Sequence, residues 1–397
     1  MASEHRDLTS PAQVEALLSA AAPVHEQPGE EIEPEPTSGV ALCLSGGGYR
    51  AMLFHTGALI RLNELGWLPR LDRVSSVSGG SIVAGMLAQA WGRLDFDADD
   101  VAGNFDELVV DPVRRLAGKT IDRPAIVLGL FGPGSAADRL AAAYRRHLFG
   151  DTTLQSLSDD GPFFVFNSTC LQSGVLRRFS KAYAWDWRVG KIDHPTIGLA
   201  VAVAASSAYP PYLSPLVLDF PPEAHVPGTG SDLEFPPYTT RLVLTDGGVY
   251  DNLGLETAWH RHRTVLVSDG GGHMSPTPRP RAFWPSQVVQ VLTVTDNQVR
   301  DLRKRQAIQA FIGGARDGTY WGIRTDIGDY RLPTALPAPH DQTLQLAAIA
   351  TRLGRLPDVE QERLINWGYA VCDAAMRRHV DVDASPPSGF PYPRGVG

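Results

Sequence analysis

From Gly39 onward the chain alternates short apolar runs with glycine-rich turns and longer apolar-periodic stretches. GVALCLS is followed by the cluster SGGGYR. Next comes a segment over about 49–66 in which Met52, Leu53, Leu59, Ile60, Leu62 and Leu65 recur at helical spacing. The pattern predicts strand, tight turn and buried helix. RVSSV (73–77), a turn at SGGS and IVAGMLAQAW (82–91) repeat that unit, the last being apolar nearly all round, as a helix buried against a sheet is. Further strands are predicted at PFFVFNST (162–169), TIGLAVAVAAS (196–206, partly helical in pattern), RLVLTD (241–246) and TVLVSD (264–269), with QVVQVLTV (287–294) as a last candidate. Strands alternating with helical stretches imply an α/β chain with a mainly parallel sheet covered on both faces. Ligands of such sheets bind beyond the carboxyl ends of the strands, where these glycine turns fall.

The region 92–158 differs in character. It has an acidic start (LDFDADD), an apolar run AIVLGLFGPG (125–134) and an amphipathic ADRLAAAYRRHLF (137–149), and it reads as an inserted helical cap. Residues 1–38, ending in a Pro- and Glu-rich stretch, read as a mobile acidic leader in which VEALLSAA (14–21) has length for a helical turn or two. The α/β body then spans 39–380, and 381–397 form an irregular Pro/Gly-rich tail.

A chain of 397 residues with 43% hydrophobic and 20% charged residues has material for a full core. The net charge of −8 is mostly a local effect: of 44 acidic and 36 basic residues, residues 1–38 hold eight and one. The body is close to neutral, which makes nucleic acid a poor partner. No segment reaches the roughly 18 apolar residues of a membrane span, and the N-terminus has no basic region followed by an apolar run, so a cytoplasmic protein is expected. Cys43, Cys170 and Cys372 are widely spaced with no CxxC pair; they read as buried apolar side chains, without a disulfide framework or structural zinc.

Three turns carry candidate chemistry. Ser76-Val77-Ser78-Gly79-Gly80 lies between an apolar strand and an apolar helix, where a sharp turn lifts a serine hydroxyl above the sheet at a helix N-terminus. The usual pattern is G-x-S-x-G, and Ser76 replaces the first glycine. Ser45-Gly46-Gly47-Gly48-Tyr49-Arg50 supplies bare backbone of the kind that faces an oxyanion. A phosphate loop is excluded because no GK[ST] follows, and a dinucleotide fingerprint fits poorly with Ala51 at its third glycine position. Asp246-Gly247-Gly248-Val249-Tyr250-Asp251-Asn252 puts a carboxylate at a strand tip, able to activate a serine without histidine.

In this order the three turns make the chain resemble the patatin-like phospholipase family, from about Gly39 to about Gly272, with a weaker echo at ASSAYPPYLSPL (205–216). The resemblance implies a three-layer α/β/α fold and a serine hydrolase of lipid acyl esters working through a Ser-Asp dyad and an acyl-enzyme. By position, Ser78 is then the nucleophile, Asp246 the base, and the amides of Gly46, Gly47, Gly48 and Gly79 the oxyanion hole, with neither metal nor cofactor. Two family glycines are missing, at Ser76 and Ala51. An acyltransferase using the same dyad, and a catalytically weak module that binds lipid or protein, are the alternatives.

Asp269-Gly270-Gly271-Gly272-His273 also follows an apolar strand and makes Asp269 the internal rival to Asp246, which the VYDN continuation favours. His273 reads as a loop residue, and His260 and His262 as surface residues. Arg50, in the first turn of a helix, reads either as a partner of a carboxylate and orienter of the glycine turn or as a surface side chain. AIVLGLFGPG reads as core of the cap or as an apolar lip that meets lipid. RDLRKR (300–305) reads as a solvated helix face, with anionic headgroups as the alternative. The expected partner is a lipid ester, and transient peripheral contact with a membrane is left open.

Overall fold

The computed structural model describes residues 36–131, 134–274, 276–280 and 283–397. The expected leader therefore lies almost wholly outside the described residues. Ten strands form one sheet: β1 (Thr37–Leu44), β2 (Arg73–Ser76), β3 (Phe163–Cys170), β4 (Leu176–Phe179), β5 (Tyr183–Asp186), β6 (Gly190–Asp193), β7 (Leu216–Asp219), β8 (Arg241–Asp246), β9 (His262–Asp269) and β10 (Asp317–Gly322). The principal helices are α1 (Gly48–Glu64), α2 (Gly79–Ala90), α3 (Asp111–Ala117), α4 (Asp122–Phe131), α5 (Ala136–Tyr144), α6 (Leu199–Ser206), α7 (Gly248–Asp251), α8 (Glu256–Trp259), α9 (Trp284–Ile312), α10 (His340–Ala347) and α11 (Asp358–His379).

Five strands, in the order β10-β9-β1-β2-β3, are parallel, as the alternating pattern predicts. An antiparallel meander β4-β5-β6 extends one edge. The period of two along a strand sorts the side chains of β1 between two helical layers. Leu42 and Leu44 enter a core shared with α1, α2, α6 and α11, while Ala41 and Cys43 enter a smaller one shared with α8 and α9. α1 and α11 cross at backbone contact distance: a Cβ on Gly57 would lie 1.9 Å from the Ile365 carbonyl oxygen, and one on Gly368 1.8 Å from that of Phe54. The same helix pair buries Arg61 and Arg377 against the shared Asp373 carboxylate.

The edge of β3 positions the site. β2 pairs parallel with β3 over Phe163–Phe166, and β8 pairs antiparallel over Ser168–Cys170. β4 occupies the opposite edge over Phe166–Thr169. β2 and β8 thus run toward one another along one edge, and their carboxyl ends meet across Asn167. The Asn167 side chain fixes that junction by donating to Ser75 Oγ (2.9 Å) and to the Ser76 carbonyl (3.0 Å). Gly247 has no alternative to glycine here, since a Cβ would lie 2.3 Å from the Asn167 carbonyl oxygen.

Two predicted strands are helices. TIGLAVAVAAS becomes α6, because a run of small apolar residues buried on nearly every side has no period to tell strand from helix. QVVQVLTV lies inside α9, whose Pro285 in the first turn and long polar continuation override the β-branched propensity. Residues 92–158 contain α3, α4 and α5 between α2 and β3. β1 begins at Thr37, two residues before the predicted start of the body. None of the described helices is long and apolar enough to cross a membrane.

Candidate active site

Ser78 joins β2 to α2 with φ 52° and ψ −114°, a conformation that a non-glycine residue adopts only under strain and that the surroundings must hold. They do so with Ser206 from the end of α6, whose Oγ accepts the Ser78 N–H at 3.0 Å and bonds Ser81 Oγ at 2.8 Å. The Ser76 hydroxyl, standing where a glycine is usual, is fully buried and donates to the Val165 carbonyl at 3.0 Å, so its bulk is absorbed within the sheet. Ser78 itself is partly exposed.

The glycine turn abuts this elbow. A Cβ on Gly46 would lie 3.2 Å from Ser78 Cβ, and one on Gly79 2.3 Å from the Gly48 carbonyl oxygen. Gly47 and Gly48 have φ of 148° and 62°. Their N–H groups and that of Gly79 have no hydrogen-bond partner among the described residues. Gly46 departs from the expectation: its N–H is spent on the Asn252 carbonyl at 3.0 Å and is not free for the expected oxyanion role. The glycine missing at Ala51 is compensated by its neighbours, since Cβ atoms on Gly47 or Gly270 would both lie 2.8 Å from Ala51 Cβ.

Asp246 closes the constellation from β8. Its N–H donates to the Ala208 carbonyl (3.0 Å) and that of Gly247 to Ser206 (3.2 Å), so the segment 206–208 holds both the elbow and the aspartate. Oδ1 accepts the Gly248 N–H at 2.7 Å. Oδ2 is buried and has no full hydrogen bond to a described residue, although the Ser78 hydroxyl lies near enough to act on the carboxyl. Burial pushes Asp246 up to about 7; the Gly248 amide and the Ser78 hydroxyl oppose this, and Asp296 adds to it.

Asp269 is held differently. Oδ1 accepts from the Gly271 N–H (2.9 Å) and Oδ2 from the Tyr320 hydroxyl (2.8 Å). Burial pushes its pKa upward, yet Arg300, the Tyr320 and Gly271 hydrogen bonds and Lys304 together keep it below the ordinary carboxylate value. Both oxygens are occupied and the charge is compensated.

Arg50 is buried, which excludes the surface alternative, and its partners are carbonyls of Gly270, Ala347 and Ile349. It thereby fixes the loop that packs on Gly47. His262 is also buried rather than on the surface, accepting from Arg73 at 3.1 Å, with burial and Arg73 pushing its pKa down to about 4. His260 and His273 are exposed. RDLRKR is no open basic face: Arg300 is buried, Arg303 pairs with Glu256 (2.8 Å), and Lys304 lies over the Tyr320 ring.

Sequence reasoning missed three polar residues. His55 on α1 is fully buried; Nε2 donates to the Ser45 carbonyl (3.0 Å) and Nδ1 accepts from Ser268 Oγ (2.8 Å), tying the ends of β1 and β9 together. Burial pushes it down to about 4, so the imidazole is neutral. Ser206 and Asn252 are the others: their segments were singled out, but their roles as holders of the Ser78 and Gly46 turns were not. Polar residues punctuating long apolar runs, as at Ala205-Ser206-Ser207, were the available signal.

The family model described as patatin-like phospholipase matches residues 42–259. Among solved structures, human GIVD cytosolic phospholipase A2 in complex with methyl γ-linolenyl fluorophosphonate aligns at 15% identity and TM-score 0.47, covering 91% of this chain and 60% of that one. VipD from Legionella pneumophila aligns at 14% identity and TM-score 0.31, covering 84% and 66%. This chain thus spans about three fifths of the length of the phospholipase A2 it aligns with. Curated protein sequences give no match. The family match runs over more than half of the chain and takes in the glycine turn, the serine elbow, the 206–208 clamp and the Asp246 turn, and the chain belongs to the patatin-like phospholipase family.

Proposed function

We propose that the protein is a serine lipid acyl hydrolase that cleaves carboxylic ester bonds through Ser78 and Asp246. The observation that carries this reading is the contrast at Asp246: a buried carboxylate with one oxygen lacking a full hydrogen bond beside a strained, partly exposed serine. An ordinary carboxylate is a weak base toward a hydroxyl; one raised to about 7 binds the serine proton more firmly while remaining largely ionised above neutral pH. Asp246 takes the Ser78 proton as Oγ attacks the ester carbonyl, and the oxyanion faces the free amides of Gly47, Gly48 and Gly79. The carboxylic acid then protonates the departing alkoxide. Asp246 then takes a proton from a water that attacks the acyl carbon, and returns it to Ser78 Oγ as the fatty acid leaves.

Exposed apolar side chains suit contact with a lipid surface. Val127 and Leu128 project from α4 of the cap, Val249 lies three residues after Asp246, and Trp284, Val288 and Val291 stand on the uncharged first turns of α9. AIVLGLFGPG is thus read in part as a lip. Hydrolysis of a p-nitrophenyl acyl ester tests the assignment: Ser78→Ala is expected to be inactive yet folded, and full activity of that variant would overturn it.

A further inference from the structure

Besides Ser78, three serines from three elements meet at the elbow. Ser76 ends β2, Ser81 lies in the first turn of α2 and Ser206 ends α6, and all three are fully buried. They form one continuous row: Ser78 N–H to Ser206 Oγ (3.0 Å), Ser206 Oγ to Ser81 Oγ (2.8 Å), Ser81 Oγ to Ser76 Oγ (2.9 Å) and Ser76 Oγ to the Val165 carbonyl of β3 (3.0 Å). Proton counting fixes its direction, because a hydroxyl has one proton to give. The Val165 carbonyl only accepts, so Ser76 donates to it and accepts from Ser81. Ser81 has then spent its proton and accepts from Ser206, which in turn accepts the Ser78 amide. Every hydroxyl of the row gives once and accepts once, as burial demands.

The row reaches both members of the dyad. Ser206 holds Ser78 with its side chain, and its carbonyl takes the N–H of Gly247 (3.2 Å), the residue after Asp246. One residue thus spans nucleophile and base, and the direction of its hydroxyl is set by Ser81 and, through Ser81, by Ser76. A glycine at 76, usual in this turn, would end the row at Ser81. The Ser81 hydroxyl would then be free to turn back on Ser206 and leave the Ser206 proton without its acceptor. We propose that Ser76 and Ser81 are positioning residues that act through Ser206 to hold Ser78 Oγ within reach of Asp246, so that the serine at 76 serves the reaction. The assignment rests on the dyad reading and adds to it two residues that do not touch substrate. Hydrogen bonds in such a line polarise one another, so breaking any one loosens the hold on Ser78 as a whole.

The test measures kcat, KM and the pH dependence of kcat/KM on a p-nitrophenyl acyl ester for Ser76→Ala, Ser76→Gly, Ser81→Ala, Ser81→Cys and the double variant Ser76→Ala/Ser81→Ala. Each single variant is expected to lose about fivefold in kcat, the worth of one hydrogen bond, with KM within about twofold of wild type. Acting as a unit, the two serines should cost no more together than singly, whereas independent losses would multiply to about 25-fold. Ser81→Cys fills nearly the same space with a weak donor, so it should fall with Ser81→Ala, and it carries the comparison if the alanine variant does not fold. Burial raises Asp246 to about 7 against the Gly248 amide and the Ser78 hydroxyl, with Asp296 adding to the rise. A Ser78 that drifts away stops opposing it, and the acid inflection of kcat/KM should move upward in every variant. Tyr144 and Tyr209, which also feel Asp246, are raised above the ordinary phenol value by burial and stay neutral across this range. A purely structural role for the serines would leave the inflection in place. Wild-type kcat in any of the single variants, a multiplied loss in the double variant or an unmoved inflection overturns the positioning row and leaves the dyad standing. Full activity of Ser78→Ala overturns the dyad reading, and the row falls with it.

Discussion

Asp246 and Asp269 end apolar strands, each is followed by Gly-Gly, and both are buried, yet their surroundings push the two carboxylates in opposite directions. Asp269 has a donor on each oxygen and Arg300 nearby, so its proton is lost early and its charge is satisfied. Asp246 has one donor, one oxygen without a full partner and a second carboxylate in the neighbourhood, so it holds a proton up to about neutral pH. The lesson is that an Asp-Gly-Gly turn supplies only the carboxylate. Neighbours on the facing elements decide whether it is a structural anion or a base.

The largest expected effects separate the two outright. Asp246→Asn should lower ester hydrolysis by about 10⁴-fold or more, as loss of a base acting in concert with its nucleophile does, whereas Asp269→Asn should retain measurable turnover. Activity within tenfold of wild type in Asp246→Asn would erase the distinction. Next in size, Gly79→Ala should cost about 10²–10³ in kcat, because the new Cβ would press 2.3 Å from the Gly48 carbonyl and displace two of the three free amides. An unaltered kcat would mean that these amides do not meet the reacting oxygen.

Stability should reverse the order. Asp269→Asn strips a compensating charge from Arg300 and should destabilise by about 3 kcal/mol in denaturant melts. Asp246→Asn removes an ionisation the fold resists. With its folded pKa near 7 against an ordinary value of 3.8, the native state binds the proton more tightly, so stability contributed by this group falls as pH rises from about 4 to about 7. The variant is therefore expected to melt above wild type at pH 8 and to lose that advantage at pH 4. Equal melting temperatures at both pH values would contradict the raised pKa. The smallest effect belongs to the clamp: Ser206→Ala frees the Ser78 N–H and should cost about 1 kcal/mol of stability, with a modest fall in kcat.

Much of this site was legible in the sequence because glycine turns after apolar runs reveal where strands end. The three turns at Gly46, Ser78 and Asp246 are brought together, as are the segments 205–216 and 269–273 around them. What the chain did not disclose was how Asp246 and Asp269 differ, since the difference lies in Tyr320, Arg300 and Lys304, contributed by β10 and α9. The Gly46 N–H, expected to face an oxyanion, is taken by a carbonyl on Asn252, 206 positions away, which no local pattern carries. The strands β4 to β6 escaped notice because they bear charges that the fold buries in pairs: Arg177 and Asp186, fully buried 3.0 Å apart, look like loop residues in a linear reading. α6 and the start of α9 failed for the opposite reason, being apolar or β-branched enough to suit either periodicity.

The pH dependence of covalent labelling of Ser78 by a fluorophosphonate, compared across wild type, Asp246→Asn and Asp269→Asn, bears most directly on the pairing of Ser78 with Asp246. Labelling of wild type and of Asp269→Asn should rise tenfold per pH unit at acid pH and level off above about 7, while Asp246→Asn stays unlabelled at every pH. Labelling of Asp246→Asn at the wild-type rate, or its loss in a folded Asp269→Asn, would contradict that pairing.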